Sequence, residues 1–127
     1  MQTFFPALRY RDARAALAWL AEAFGFEPLE VDEAPDGTID HAEMRLGEDV
    51  VMLGSEDGSG DFGSHAGQGW VYVAVNDPDA LYERATGAGA EVVRKLEDTD
   101  YGSRDFSVHD PEGNLWSFGT YRPEVPS

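Results

Sequence analysis

Val71-Tyr72-Val73-Ala74-Val75-Asn76-Asp77-Pro78-Asp79-Ala80-Leu81 decides the fold, because it reads as a strand running straight into a helix start. Val71, Val73 and Val75 alternate with other residues as strand side chains do. Asp77 then offers an N-cap oxygen, and Pro78 sits at the first helical position, where a missing N–H costs nothing. The same order occurs earlier in the chain. Phe4 to Arg9 is strand-like, Asp12 is a cap, and Ala13, Ala16, Leu17, Leu20 and Phe24 form an apolar stripe that Gly25 ends. Asp12 and Asp77 stand 65 positions apart, and the pairs Leu8/Val73, Tyr10/Val75 and Leu53/Phe118 keep that step.

Working outward, each strand-helix unit is followed by three strand-like segments. In the first half these are Phe26 to Asp32, Ile39 to Leu46 and Val50 to Gly54, with turns at Asp36-Gly37 and Gly47-Glu48-Asp49. In the second half the helix spans Asp77 to Ala88, with Leu81, Ala85 and Ala88 inward and Gly89 as terminator. Glu91 to Leu96, Asp105 to His109 and Leu115 to Tyr121 follow. The expectation is one α+β domain over residues 1–127, built from two paired β-α-β-β-β modules. Module one spans about 1–54, a Gly- and Ser-rich connection 55–68, and module two about 69–122. One helix covers one face of each sheet, which leaves the other faces free to enclose a cavity.

Composition narrows the function. Twenty-five acidic residues against nine basic ones give a net charge of −16, which repels nucleic acid and anionic membranes and attracts cations. The same charge also serves solubility alone. Zero cysteines exclude disulfides and thiolate metal sites and fit a reducing cytoplasm. The N-terminal Met-Gln-Thr-Phe-Phe-Pro has no basic region before an apolar run, so no signal peptide is expected. No stretch reaches the length of a membrane span. No Walker loop, Gly-x-Gly-x-x-Gly fingerprint or serine nucleophile elbow occurs.

Three stretches resemble one family. Arg9-Tyr10-Arg11-Asp12-Ala13-Arg14-Ala15-Ala16 with Phe24-Gly25-Phe26 resembles the opening of vicinal oxygen chelate domains, the group of glyoxalases, ring-cleaving dioxygenases and bleomycin-resistance proteins. Val71 to Leu81 resembles their second opening. Asp110-Pro111-Glu112-Gly113-Asn114-Leu115-Trp116-Ser117-Phe118 resembles their final strand, where glutamate usually follows the asparagine by three residues. The resemblance implies a curved sheet around a pocket, commonly in a homodimer, and in catalytic members a divalent metal held by the first and last strand of each module. Those four positions hold Phe5, Met52, Trp70 and Ser117 here. Aromatic rings cannot ligate such an ion, a thioether suits soft metals, and a neutral hydroxyl is a poor substitute for carboxylate. The expectation is therefore no metal and no cofactor.

The same register predicts a pocket wall of Phe5, Ala7, Arg9, Val50, Met52, Trp70, Tyr72, Leu115 and Ser117, apolar and aromatic with a few polar handles. Alternation along Ile39 to Leu46 adds His41 and Glu43 to the face opposite Ala42, Met44 and Leu46. Bland readings stand beside these: aromatic residues also fill cores, and a strand histidine is often only hydrogen-bonded. His109 before the Asp-Pro turn and His65 in the connection read as structural or solvated. The expected function is non-catalytic binding of a small aromatic or cationic molecule, antibiotic sequestration being its sharpest form. The alternatives are a metal-dependent glyoxalase- or dioxygenase-like enzyme with atypical ligands, and a structural or regulatory dimer with a self-filled pocket.

Overall fold

In a computed structural model describing residues 2–56 and 65–126, each half of the chain forms one four-stranded mixed sheet with one helix. The elements are β1 (Ala7–Tyr10), α1 (Ala13–Phe24), β2 (Glu27–Glu33), β3 (Ile39–Leu46) and β4 (Asp49–Ser55), then β5 (Trp70–Ala74), α2 (Pro78–Gly87), β6 (Glu91–Asp98), β7 (Arg104–His109) and β8 (Leu115–Gly119). Strand orders are β1-β4-β3-β2 and β5-β8-β7-β6. The first strand of each sheet runs parallel to the last and the other neighbours are antiparallel. The predicted α+β pair of β-α-β-β-β modules is thus the observed fold. Most of the connection, residues 57–64, lies outside the described residues.

The duplication extends to register. Ala7 pairs with Met52 in the first sheet and Tyr72 with Ser117 in the second, both members displaced by 65 positions. The hairpins differ by one residue: Glu43 faces Met52, whereas Ser107 faces Ser117. Glu43 therefore matches Ser107, and His41 matches Asp105.

Helix ends follow their local chemistry. The Asp12 side chain accepts from Ala15 N, and Gly25 closes α1 in the left-handed region at φ 77°. A Cβ at Gly25 would also lie 2.9 Å from the Arg84 guanidinium, which caps the α1 carbonyls of Ala21 and Glu22. Asp77 caps α2 through Ala80 N. Most strand bounds shift by one to three residues, and two of the shifts have a local cause. The first strand starts at Ala7 rather than Phe4, since Pro6 has no N–H for a ladder. The last strand stops at Gly119, beyond which Tyr121 N donates to Ser103 Oγ instead of a neighbouring strand.

The helix-facing sides of both sheets share one core. Phe24 at the end of α1 packs on Phe118 and Trp116 of β8, with ring centroids 4.7 and 5.4 Å apart, and Phe26 meets Trp116 at 5.5 Å. The helices lie against each other, and Trp19 Nε1 donates to Ala88 O across them. A buried polar clasp crosses the same boundary. Asp110 accepts from Tyr10 OH at 2.6 Å and Trp116 Nε1 at 3.1 Å through Oδ2, and from the N–H groups of Glu112 and Asn114 through Oδ1. Glu112 in turn accepts the backbone N–H groups of Arg11 and Asp12, ahead of α1. Burial, reinforced by the Asp110 carboxylate, pushes the Tyr10 phenol far above its usual range.

Two measurements check the clasp. Asp110→Ala strands the Tyr10 hydroxyl and the Trp116 N–H without an acceptor, so denaturant unfolding should show a loss of about 2–4 kcal/mol; a change within about 0.5 kcal/mol contradicts the assignment. Tyr10 keeps its proton when folded and releases it near pH 10 when unfolded, so its contribution is complete below pH 10 and falls as pH rises further. The Tyr10→Phe protein should lose less stability than wild type between pH 10 and 11.

Candidate functional site

Because the core consumes the helix-facing sides, the opposite sheet faces carry the candidate residues. In the first sheet Leu8, Tyr10, Ile39, Ala42, Met44, Val51 and Leu53 point inward. Ala7, Arg9, His41, Glu43, Arg45, Val50 and Met52 alternate with them on the outer face. His41 Nε2 lies 2.9 Å from Glu43 Oε2, an ion pair when the imidazole is protonated, and Arg45 pairs with Glu27. Arg9 Nη1 donates to Ser55 O, and its guanidinium crosses Gly54, where a Cβ would stand 2.5 Å from that nitrogen. This face is charged, and Asp32 and Glu30 of β2 extend it opposite His41 and Glu43.

The outer face of the second sheet has a different chemistry. Val71, Val73, Phe106, Val108, Trp116 and Phe118 pack inward, so Trp70, Tyr72, Asp105, Ser107, His109, Leu115, Ser117 and Gly119 lie outside. Trp70 is 71% exposed and donates from Nε1 to Ser117 Oγ at 3.0 Å; Ser117 Oγ also meets Ser107 Oγ at 2.8 Å. Small residues thus form a floor beside the aromatic side chains of the edge strand. At one end Asp105 accepts from Ser103 Oγ and from Tyr101 OH, and Tyr72 OH donates to Tyr121 O at 2.7 Å. Burial raises the Tyr72 phenol, while the hydrogen bond to Asp105 raises that of Tyr101. At the other end His109 Nδ1 meets Glu91 Oε1 at 2.6 Å.

Within one chain the structure does not bring all the expected wall residues together. Ala7, Arg9, His41, Glu43 and Met52 share one sheet, Trp70, Tyr72, Leu115 and Ser117 the other, and exposed Phe5 precedes β1 outside any strand. A groove of about 840 Å³ lies elsewhere, between the N-terminal segment and β5, lined by Phe4, Pro6, Phe26, Val51, Val73 and Trp116 among others. Only Val50 and Tyr72 of the expected wall reach it. Sequence reading missed Asp105, Ser107, Tyr101 and Tyr121 as members of the second face. Alternation past Phe106 and Val108 carries the signal for Asp105 and Ser107. The two tyrosines lie outside the strands, where no periodicity locates them.

The donor set does not fit the divalent ion implied by the resemblance. Of the four positions, Ser117 has the only hard donor atom, and that hydroxyl already bonds Trp70 and Ser107. Among the described residues, no three His, Asp or Glu side chains form a metal-ligand group. Among those residues His41 and Glu43 have no third such partner. No helix among these residues is long and apolar enough to cross a membrane.

Relatives agree with this architecture. An uncharacterised protein of Mycobacterium bovis is 35% identical over 127 aligned positions, covering 94% of this chain and 84% of its own length. The crystal structure of TioX from Micromonospora sp. ML1 superposes with a TM-score of 0.80 at 37% identity, covering 94% of this chain and 98% of that one. Lactoylglutathione lyase from Agrobacterium tumefaciens shares the fold, with a TM-score of 0.69 at 22% identity and coverage of 94% and 93%. The sequence model of the Glyoxalase/Bleomycin resistance protein/Dioxygenase superfamily matches residues 4–118, and this chain belongs to that superfamily.

Proposed function

We propose that the chain binds and sequesters a small flat or amphipathic organic molecule, without a metal, as a homodimer. The observation that carries this reading is Trp70, a large aromatic side chain 71% exposed above a floor of small residues, with Tyr72 next to it on the face away from the core. An exposed indole of this kind is a stacking surface for a planar ligand. Antibiotic sequestration is the narrowest form of the proposal, and the −16 charge favours cationic ligands by raising their local concentration. The absence of cysteine supports a cytoplasmic location.

The dimer is supported by the incompleteness of the site in one chain. A chain alone displays a charged face and an aromatic face on separate sheets, and β1 and β5 are both unpaired sheet edges. Exposed Phe4 and Phe5 lie just before β1. A second copy set with its β5 edge by β1 covers these edges and closes each charged face with the partner's aromatic face. Arg9, His41, Glu43 and Met52 then come from one chain, and Trp70, Tyr72, Leu115 and Ser117 from the other. The His41–Glu43 pair favours one alternative, an enzyme that uses a carboxylate-oriented imidazole as general base.

Three outcomes are expected. Light scattering should give a dimer mass, and a strictly monomeric species at high concentration contradicts the shared site. Elemental analysis of protein purified without chelator should find Zn, Ni, Mn and Fe well below one per chain, whereas a stoichiometric ion lost on His41→Ala would overturn the metal-free reading. In fluorescence titrations with bleomycin and smaller aromatic compounds, Trp70→Ala should weaken binding by about 1–3 kcal/mol. Unchanged affinity would remove Trp70 from the site.

A further inference from the structure

Asp105 is 6% exposed, yet it lies on the outer face of the second sheet, not in the apolar core. The chain's other buried clasp acid, Asp110, is satisfied by four donors: Tyr10 OH, Trp116 Nε1 and two backbone N–H groups. Asp105 has two, the hydroxyls of Ser103 and Tyr101. A carboxylate offers about four lone-pair sites, so acceptor capacity remains. Among the described residues no Lys, Arg or His comes within ion-pair distance of it; the arginine nearest in sequence, Arg104, pairs instead with Asp79 and Asp98. Arg122 and Arg94 act on the Tyr72 and Tyr101 phenols but form no ion pair with Asp105, and a cation in direct hydrogen-bond contact stabilises a shielded carboxylate.

The surroundings suit such a cation. Gly119 lies opposite Asp105 in the ladder, and a Cβ there would collide with Asp105 Oδ1 and with Tyr72 OH. Only glycine lets both polar groups settle over the strand. Tyr101 OH donates to the carboxylate, Tyr72 OH lies with it over Gly119, and the Tyr121 ring stands perpendicular to that of Tyr101 at 6.1 Å; all three keep exposed surface. Tyrosine rings next to a carboxylate favour an organic ammonium over a hydrated metal ion, because the rings attract the cation and shelter its alkyl groups.

Building on the proposed ligand-binding role of the second face, we infer that Asp105 and its three tyrosines hold the protonated amine of the ligand, while its flat portion lies along Ser107, Ser117 and Trp70. The ligand class is an aromatic compound bearing a primary or secondary amine. Arg9, which has no carboxylate partner among the described residues, marks the opposite choice of an acidic ligand. Its guanidinium already donates to Ser55 O, and its sheet also displays Glu30, Asp32 and Glu43.

The test uses the full chain and three matched probes: 1-naphthylmethylamine, 1-naphthylmethanol and 1-naphthoate. Calorimetric affinities are compared at pH 7 in low salt and in about 0.5 M salt, where the field of the whole protein is screened. The amine should bind roughly ten-fold tighter than the alcohol, and the difference should persist in high salt because the contact is direct. Asp105→Asn should abolish the difference between amine and alcohol. Equal binding of amine and alcohol to wild type, a preference that salt removes, or tightest binding of naphthoate overturns the inference and leaves the aromatic face intact. Failure of all three probes removes the aromatic face as well. If Asp105→Asn does not fold, the wild-type ratio in high salt decides alone.

Discussion

The structure depends on the junction at Asp110, where one carboxylate accepts from Tyr10 of the first module and Trp116 of the second. Around it the end of α1 inserts Phe24 against Trp116 and Phe118, so each sheet spends its helix-facing side on a common core. The polar and apolar parts of this junction reinforce each other. Burial keeps the Tyr10 proton in place, and the proton makes the buried carboxylate tolerable. Glu112, two residues on, holds the turn into α1 through backbone N–H groups and so fixes the entry of the first helix from the second module.

Fixing the modules helix to helix determines which surfaces are available for function. Both outer faces are displayed, and the repeated pairing of β1 with β4 and of β5 with β8 makes them equivalent in geometry. They are not equivalent in chemistry. His41 and Glu43 occupy on β3 the places that Asp105 and Ser107 occupy on β7. The first copy of the duplicated unit adds a guanidinium and several carboxylates to its imidazole; the second, beside Asp105 and His109, carries a tryptophan, tyrosines and small hydroxyls. Such divergence suits a composite site in which each face supplies what the other lacks.

Much of the fold was legible because the relevant signals are local. Asp12 and Asp77 announce their helices, Gly25 ends one, and β3 matches its expected bounds from Ile39 to Leu46. Alternation also placed His41 and Glu43 on the face away from the apolar side chains. How the faces sit relative to each other was not legible, because it follows from aromatic contacts between residues about ninety positions apart, such as Phe24 and Phe118. The Tyr101 and Tyr121 contribution was equally hidden. These residues reach the second face through Asp105 and through Tyr72, and neither contact leaves a periodic trace.

The proposed site forms where the charged face of one chain meets the aromatic face of another. The chain has no native cysteine, so single-cysteine variants report on it without background. Met52→Cys and Ser117→Cys chains, mixed in equal amounts and treated with a short bis-maleimide, should give a covalent species of twice the chain mass that contains one of each. Linkage within single chains of the double variant, with no mixed product, would contradict the account.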